Sequence, residues 1–475
     1  MQQALHIFVK DVRRLRYDIL VVLVLTATFA WCEGHRTPFL IDKLTPPAFL
    51  LEGLLPLGWW YLVAEAVFGE PLPGDCQFWV TRPFRWQSLL TAKLLFIAAF
   101  VNLPLLVSDC SVLALQGLHP FADPEALAWR QVVMAATLIF PMTALACITV
   151  SIAKMVLTLL GLVAFIVLVS IPKIGPPSYL WGSLYWVQVS LGVVAIAAAA
   201  LVVMVVQYRT RRTAVSRVII GSVIILVFVG ARWLPWNVGY AIQSRLVRSQ
   251  IETSSVSAQF EPEGSPPAAT TQAPPDSVRV SLPIRFRGVP AQTVAKIDGM
   301  VAEFTPPEGK PSELRLWGSE TDTPWHEMVV DRKLFERVKD QPLHLHVTIL
   351  LTLFGDLHTE RMPLERGMRR VPGVGQCGAE PIEVSKLTYL SCMAPFRLPS
   401  RTVPRFDNGP PVEGAVVIPY SPYPAEFGVS PMSISRWQLP NQPGATGITI
   451  NTMQLLAHVR RDLDIPSVRL ADFVH

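Results

Sequence analysis

LYWVQVSLGVVAIAAAALVVMVV, Leu184 to Val206, contains no charged side chain. A helix rises about 1.5 Å per residue, so this run is long enough to cross the roughly 30 Å hydrocarbon core of a bilayer. It is followed at once by the basic stretch Tyr208 to Arg217, YRTRRTAVSR. An apolar run that ends abruptly in arginines reads as a membrane helix with a retained inner end.

Working outward, six further segments have comparable length and hydropathy: Tyr17 to Cys32, Phe49 to Phe68, Leu89 to Leu115, Gln131 to Ile152, Met155 to Ile171 and Val218 to Leu234. The chain has 475 residues, 51% of them hydrophobic, with a mean hydropathy of +0.38. That excess is concentrated before Trp236, whereas the remainder has ordinary polarity and most of the prolines, so the two halves suit different solvents. The expected fold is an α-helical polytopic membrane bundle of about seven spans, residues 1–236. A flexible Pro/Ser/Thr-rich linker, 237–276, then leads to an extracytoplasmic β-rich, sandwich-like domain, 277–475.

Lys and Arg near span ends are retained in the cytoplasm. With the N-terminus inside, the inner set is Lys10, Arg13, Arg14, Arg16, Arg82, Arg85, Lys93, Lys154, Arg209, Arg211, Arg212 and Arg217. The outer set is sparser: Arg36, Lys43, Arg130, Lys173 and Arg232. An odd number of spans places the second half outside, and Trp31, Trp129, Trp181, Trp233 and Trp236 fall at outer span ends as an aromatic belt would. No cleaved signal peptide is expected, because the first apolar run follows a polar helical stretch and precedes further spans. In that stretch Leu5, Phe8, Val12 and Leu15 recur at helical spacing, which suits a helix in the inner interface or a simple extension of the first span. The net charge of +5 is modest and dispersed, so nucleic acid is not an expected partner, whereas membrane lipid is.

The loop between the second and third spans, Glu70 to Trp86, reads EPLPGDCQFWVTRPFRW. Its aromatic residues need either a partner protein or the lipid headgroup layer to cover them. The run FWVTRPFRWQSLLTAKLL, Phe78 to Leu95, and the N-terminal KDVRRLR, Lys10 to Arg16, resemble the corresponding segments of bacterial ABC-2 type transporter permeases. The resemblance covers roughly the first half of the chain. It implies a membrane permease subunit of the export class in the inner membrane, coupled to a separate ABC ATP-binding subunit. ATP and Mg would then sit on that partner, with no cofactor in this chain, and a second permease subunit, identical or not, would complete the transporter. Phe78, Trp79, Thr81, Arg82, Pro83 and Arg85 would form the coupling loop. Minimal members of the family have six spans and end inside the cell, so the seventh span and the external domain depart from it. A non-transporting anchor for an external binding module is the alternative.

Of the polar residues near the apolar runs, Glu52, Glu65, Asn102, Asp109 and Lys154, Asp109 is the best candidate for lining a translocation path, with snorkelling to the outer interface as the simpler account; the price of an ionisable group in lipid argues for a cavity or a partner where it is truly central. Pro104 and Pro141 predict kinks inside spans three and four. In the second half, Val278 to Phe286 and Leu343 to Leu351 alternate apolar and polar residues as strands do. Leu314 to Trp317, Ile382 to Leu390, Ala415 to Ile418 and Gly447 to Ile450 are further strands, and Arg332 to Val338 a short helix. Cys377 and Cys392, placed outside, can form a disulfide or remain two thiols. His344, His346 and His358 lack the Cys or carboxylate cluster that would complete a metal site, so no metal is expected. No Gly-x-Ser-x-Gly, His-Glu-x-x-His or phosphate-loop motif occurs, so ATP hydrolysis or covalent catalysis by this chain is not expected.

Overall fold

The computed structural model describes residues 2–36, 46–69, 85–170, 185–233, 235–246, 249, 251–262, 276–291, 293–305, 312–320, 324–364, 367–372, 374–382, 387–395, 400–406, 416–419, 428–440 and 445–474. Its first half is helical: α1 Gln2–Arg14, α2 Arg16–Gly34, α3 Pro46–Phe68, α4 Trp86–Ile97, α5 Leu103–Leu115, α6 Pro124–Met134, α7 Phe140–Ile148, α8 Ile152–Ser170, α9 Tyr185–Thr210, α10 Thr213–Trp233 and α11 Trp236–Leu246. Among the described residues six helical stretches are long and apolar enough to cross a membrane: 16–34, 50–68, 86–115, 124–148, 187–210 and 213–230. This is the signature of a multi-pass membrane protein. The expected seventh span, Val218 to Leu234, falls in α10, whereas the expected fifth, Met155 to Ile171, corresponds to α8, whose described apolar part, Ile152–Phe165, falls short of that length. The expected fourth span, Gln131 to Ile152, starts earlier and stops at Ile148, because Thr149 is extended (φ −106°, ψ 156°) and a new helix begins at Ile152.

Near the two prolines expected to kink their spans, the helix changes its winding. A π-helical turn, Ala98–Asn102, joins α4 to α5 just before Pro104, and a second, Ala135–Ile139, joins α6 to α7 just before Pro141. Proline supplies no N–H and its ring crowds the carbonyl four residues earlier; widening one turn accommodates both effects without ending the helix.

The second half comprises β1 Ser257–Phe260, β2 Ser277–Arg287, β3 Val294–Phe304, β4 Ser312–Glu320, β5 Trp325–Asp331, α12 Arg332–Val338, β6 Leu343–Pro363, β7 Arg369–Val371, β8 Gly375–Ile382, β9 Leu387–Pro395, β10 Ser400–Phe406, β11 Val416–Pro419, β12 Met432–Pro440 and β13 Gly447–Val468, then a 3₁₀ turn, Leu470–Phe473. One sheet has eight strands in the order β1-β2-β5-β4-β3-β6-β13-β10; the other has five, β11-β12-β9-β8-β7. Every paired strand runs antiparallel.

The large sheet curls until β1 meets β13. It encloses Val280, Leu282, Ile284, Ile297, Met300, Leu345, Val347, Ile349 and Leu351, with Phe335 and Val338 of α12 and Leu470 of the final turn closing the end. The alternation read along β2 and β6 is what lines this core. At the far ends of β6, β10 and β13 the small sheet packs face to face, with Met362, Phe406, Ile448 and Ile450 against Ala379, Leu390, Trp437 and Leu439. The sandwich-like arrangement therefore holds only for this part. Ile382 to Leu390 is not one strand but straddles the connection between β8 and β9. Residues 237–276 are not a uniform linker either: α11 begins at Trp236, and β1 pairs with β2. Alternating Val256, Ala258 and Phe260 pack on the barrel core, and that burial outweighs the polar composition around them.

Cys377 and Cys392 are direct cross-strand partners on β8 and β9 and form a disulfide. Two histidine side chains in the β-rich region are largely withdrawn from solvent, His326 completely. His326 bonds the Ile284 carbonyl at 3.1 Å, and burial pushes its pKa down to about 4. His458 lies beside Thr352, and burial pushes its pKa down to about 4 as well. The unfolded chain takes up these protons near pH 6.5, so the contribution of each neutral histidine is complete above that value and is lost as pH falls towards 4. His346 acts in the opposite sense: its hydrogen bond to Asp464 raises its pKa, so its contribution is present below pH 6.5 and is lost as pH rises through the raised value. That side chain is half exposed, and solvent screens the effect.

Two outcomes are expected. Acidification from pH 6.5 to 4 should lower the unfolding free energy of the β-rich region by up to about 3 kcal/mol per buried histidine, and His326→Phe should flatten that dependence in denaturant titrations at several pH values. Joint replacement of Cys377 and Cys392 by Ser should cost about 3 kcal/mol, seen as an earlier unfolding midpoint that reductant no longer shifts.

Candidate functional site: the two ends of the helix bundle

Chain direction sorts the helix ends into two sets. The start of α2, the end of α3, the start of α4, the end of α7 and the α9–α10 turn lie at one end of the bundle, away from the β-rich region; the end of α2, the end of α5 and the start of α6 lie at the other, against it. Each end contains a buried ion pair.

At the end away from the sheets, Lys93 of α4 donates to Asp11 of α1 at 2.6 Å, with both side chains buried. Asp11 lies on the same face of α1 as Ala4 and Ile7, so helical spacing carries the carboxylate inward along with the apolar contacts. Neither charge would tolerate this depth alone; together they fasten α1 across α4. Arg14 reaches Glu65 of α3 at 3.4 Å, and its guanidinium lies over Gly69 at the end of that helix. The loop that follows begins at Gly69 and ends at Arg85. Arg85 is exposed and caps the start of α4 with extended backbone, whereas Phe78, Trp79, Thr81, Arg82 and Pro83 lie outside the described residues. Trp86 packs on the cluster that includes Ala4, Ile7 and Ala92.

At the other end, Arg130 of α6 meets Asp109 of α5 at 3.0 Å, and Gln131 donates to the same carboxylate at 3.0 Å. Asp109, expected to line a path, is instead fully enclosed, because this arginine and amide satisfy it inside the bundle. The remaining guanidinium donors leave the bundle: Nη1 bonds the Gly428 carbonyl at 2.8 Å and Nη2 the Val429 carbonyl at 2.6 Å. Beside them Ser430 donates to Glu33 of α2 at 2.6 Å. Glu33 also pairs with Arg36, which in turn reaches Glu52 of α3. The Gln116 amide donates to the carbonyls of Glu33, Gly34 and Arg36, while Gln376 of β8 donates to the Gln116 carbonyl. Apolar contacts seal the seam, with Ala30, Val112, Leu113 and Leu118 against Met393 and Met432.

A small open cleft flanks this seam, between the α5–α6 connection and the small sheet; His119, Asp123, Arg130, Pro395 and Pro431 border it. A third polar group lies on the sheet under α11. A bulge at Ile297/Gly299 re-aims Asp298 towards Thr352, whose hydroxyl also contacts His458 Nδ1 at 2.8 Å. The hydroxyl, not the imidazole, is central here, and Asp298 and Thr352 are buried, so the arrangement lacks the order and access of a nucleophilic triad. Among the described residues no group of three or more His, Cys, Asp or Glu side chains is placed to hold a metal ion, and His344, His346 and His358 do not converge on one. The chemistry available at both bundle ends is therefore fastening: charge-assisted hydrogen bonds that fix elements against one another.

Asp11, Glu33, Gln116 and Ser430 were not apparent from the sequence. The signal for Asp11 is its place on the apolar face of α1; for the others, only the fold brings partners together across more than eighty positions.

Replacing Asp109 by Ala should leave Arg130 buried without its counter-charge and cost about 3–5 kcal/mol in bundle stability. The double change Asp109→Leu with Arg130→Met should recover most of that loss, yet limited proteolysis should then cut near Gly428 because its backbone contacts are gone. In comparisons with known proteins, no family model, no curated protein and no solved structure matches this chain.

Proposed function

We propose that the chain is the membrane-spanning permease subunit of an ABC-type transport system, of the export class, working with a separate ATP-binding subunit and a second permease subunit in a bacterial inner membrane. Its N-terminus would face the cytoplasm and its β-rich region the outside. The observation that carries this reading is the grouping of α1, both ends of the α3–α4 loop and the basic α9–α10 turn at the bundle end opposite the sheets. The aromatic, arginine-bearing loop thus belongs to the end rich in Lys and Arg, which the distribution of basic residues assigns to the cytoplasm. Fastening of α1 to α4 and α3 gives the loop a firm base from which a partner's movement reaches the spans. ATP binding drives such a change only through contacts that differ between two arrangements of the helices.

A second reading, an anchor that presents the β-rich region without transport, draws support from the polar seam around Arg130, which fixes that region to the bundle.

The two readings part on one experiment. The full-length chain, purified from its native membrane in mild detergent, should bring down a subunit that hydrolyses ATP, and Trp79→Ala with Arg82→Ala should reduce the recovered activity by about tenfold or more. Purification without any ATPase, or recovery unaffected by the loop changes, would rule the transporter reading out.

A further inference from the structure

The α9–α10 turn carries a feature that neither fastening nor span formation requires. Its two helices are joined through Arg211 and Arg212 alone, and Arg211 adopts φ +52°, a left-handed conformation that L side chains rarely take. The turn is held from within. The Arg211 N–H donates to the Gln207 carbonyl at 3.0 Å, and the Thr213 N–H to the Arg211 carbonyl at 3.0 Å. The Gln207 amide donates to the Thr213 hydroxyl at 3.1 Å and accepts from the Ser216 hydroxyl at 3.1 Å, with Gln207 and Ser216 fully buried.

This framework points charge outward. Arg209, Arg212 and Arg217 are exposed and Arg211 half-buried, all within nine positions at this turn. No Asp or Glu occurs anywhere between Glu125 and Glu252. Among the described carboxylates at this end, Asp11 pairs with Lys93, Glu65 with Arg14, and Asp18 accepts from the Tyr61 hydroxyl. Two span-length helices end here, so the tip lies at the depth of lipid headgroups, and guanidinium groups match phosphate oxygens in paired geometry.

We propose that the α9–α10 tip is a binding site for anionic phospholipid, with Arg209, Arg211, Arg212 and Arg217 gathering the headgroup phosphates. Buried Gln207 and Ser216 hold the turn in the shape that brings the four cations together. The site goes beyond the transporter reading and does not depend on an ATPase partner.

The test uses the full chain in nanodiscs of phosphatidylcholine doped with a minor fraction of fluorescent phosphatidylglycerol, with enrichment of the anionic lipid around the protein as the readout. The native chain should enrich it, and each arginine replaced among Arg209→Gln, Arg212→Gln and Arg217→Gln should lower the enrichment about fivefold. Arg211→Gly keeps the turn, since glycine takes this φ freely, and should lose one arginine's share while the unfolding midpoint is unchanged or higher. Undiminished enrichment by the folded triple variant would overturn the proposal. So would displacement of the lipid by excess inorganic phosphate, which would make the tip a site for the free anion. Retention of lipid together with loss of a co-purifying protein would identify a protein-docking surface and equally refute it.

Discussion

One guanidinium ties the two halves of the molecule together. Arg130 enters the bundle to neutralise Asp109 and, with donors left over, grips two carbonyl oxygens almost 300 positions later in the chain. A lysine could hold the carboxylate but could not span both directions, because only a planar fork offers donors on several edges. The carboxylate, in turn, cannot be dispensed with: a buried guanidinium bonded only to neutral carbonyls would keep its full charge in a poorly solvated seam. The β-rich region is thus fastened to the helices by an interaction whose removal on either side leaves a buried charge.

The opposite end repeats the device with Asp11 and Lys93, and the stretch between the two ends is almost entirely apolar. Conformational freedom is accordingly unevenly distributed. The ends are pinned by charge, whereas the middle contains the two π turns, whose hydrogen-bonding is looser than that of the α-helix. Val101 from one π turn and Ala135 and Ile139 from the other belong to a single apolar cluster with Trp59 and Leu62 of α3. A change of helix shape that leaves both charged ends intact would therefore centre on this cluster, where only dispersion contacts must be exchanged.

How much of this was readable follows from the range of each interaction. Spans were legible because bilayer thickness fixes a length that one local run must meet, and the run from 184 shows it directly; α8 falls short of that length in its described apolar part. The strands beginning at Ser277 and Leu343 were legible through alternation, but β3 was not. The bulge at Asp298 breaks its period, and that same bulge turns Asp298 towards Thr352. β1 was hidden by the Ser, Thr and Pro around it, and α11 by its position after a proline and outside the last span. The π turns were half legible, since the prolines mark where a helix must adjust but not how. Asp109 was noticed as an anomaly, yet its partner lies twenty-one positions away on another helix, and no spacing rule connects two positions across a turn of that length.

The β-rich region meets the bundle at a second place, and the pair of attachments limits what can move. Trp236 and Tyr240 of α11 rest on Leu350 of β6, and Arg460 of β13 stands 5.9 Å over the Trp236 ring. β6 and β13 run unbroken from this seat to the small sheet, which carries the partners of Gln116 and of the Ala30 cluster. The same two strands therefore link α9–α11 at one end with α2, α5 and α6 at the other. Any rearrangement that separates those helix groups must either bend the paired strands, at the register shifts between Thr452 and Ala457, or release one attachment. The polar seam is costly to open because it leaves Arg130 and Glu33 with unmet demands, whereas the α11 seat is largely ring against aliphatic side chain. Of the two, the α11 seat yields first, so a moving bundle would carry α2, α5, α6 and the small sheet as one unit and slide α11 over the face of β6.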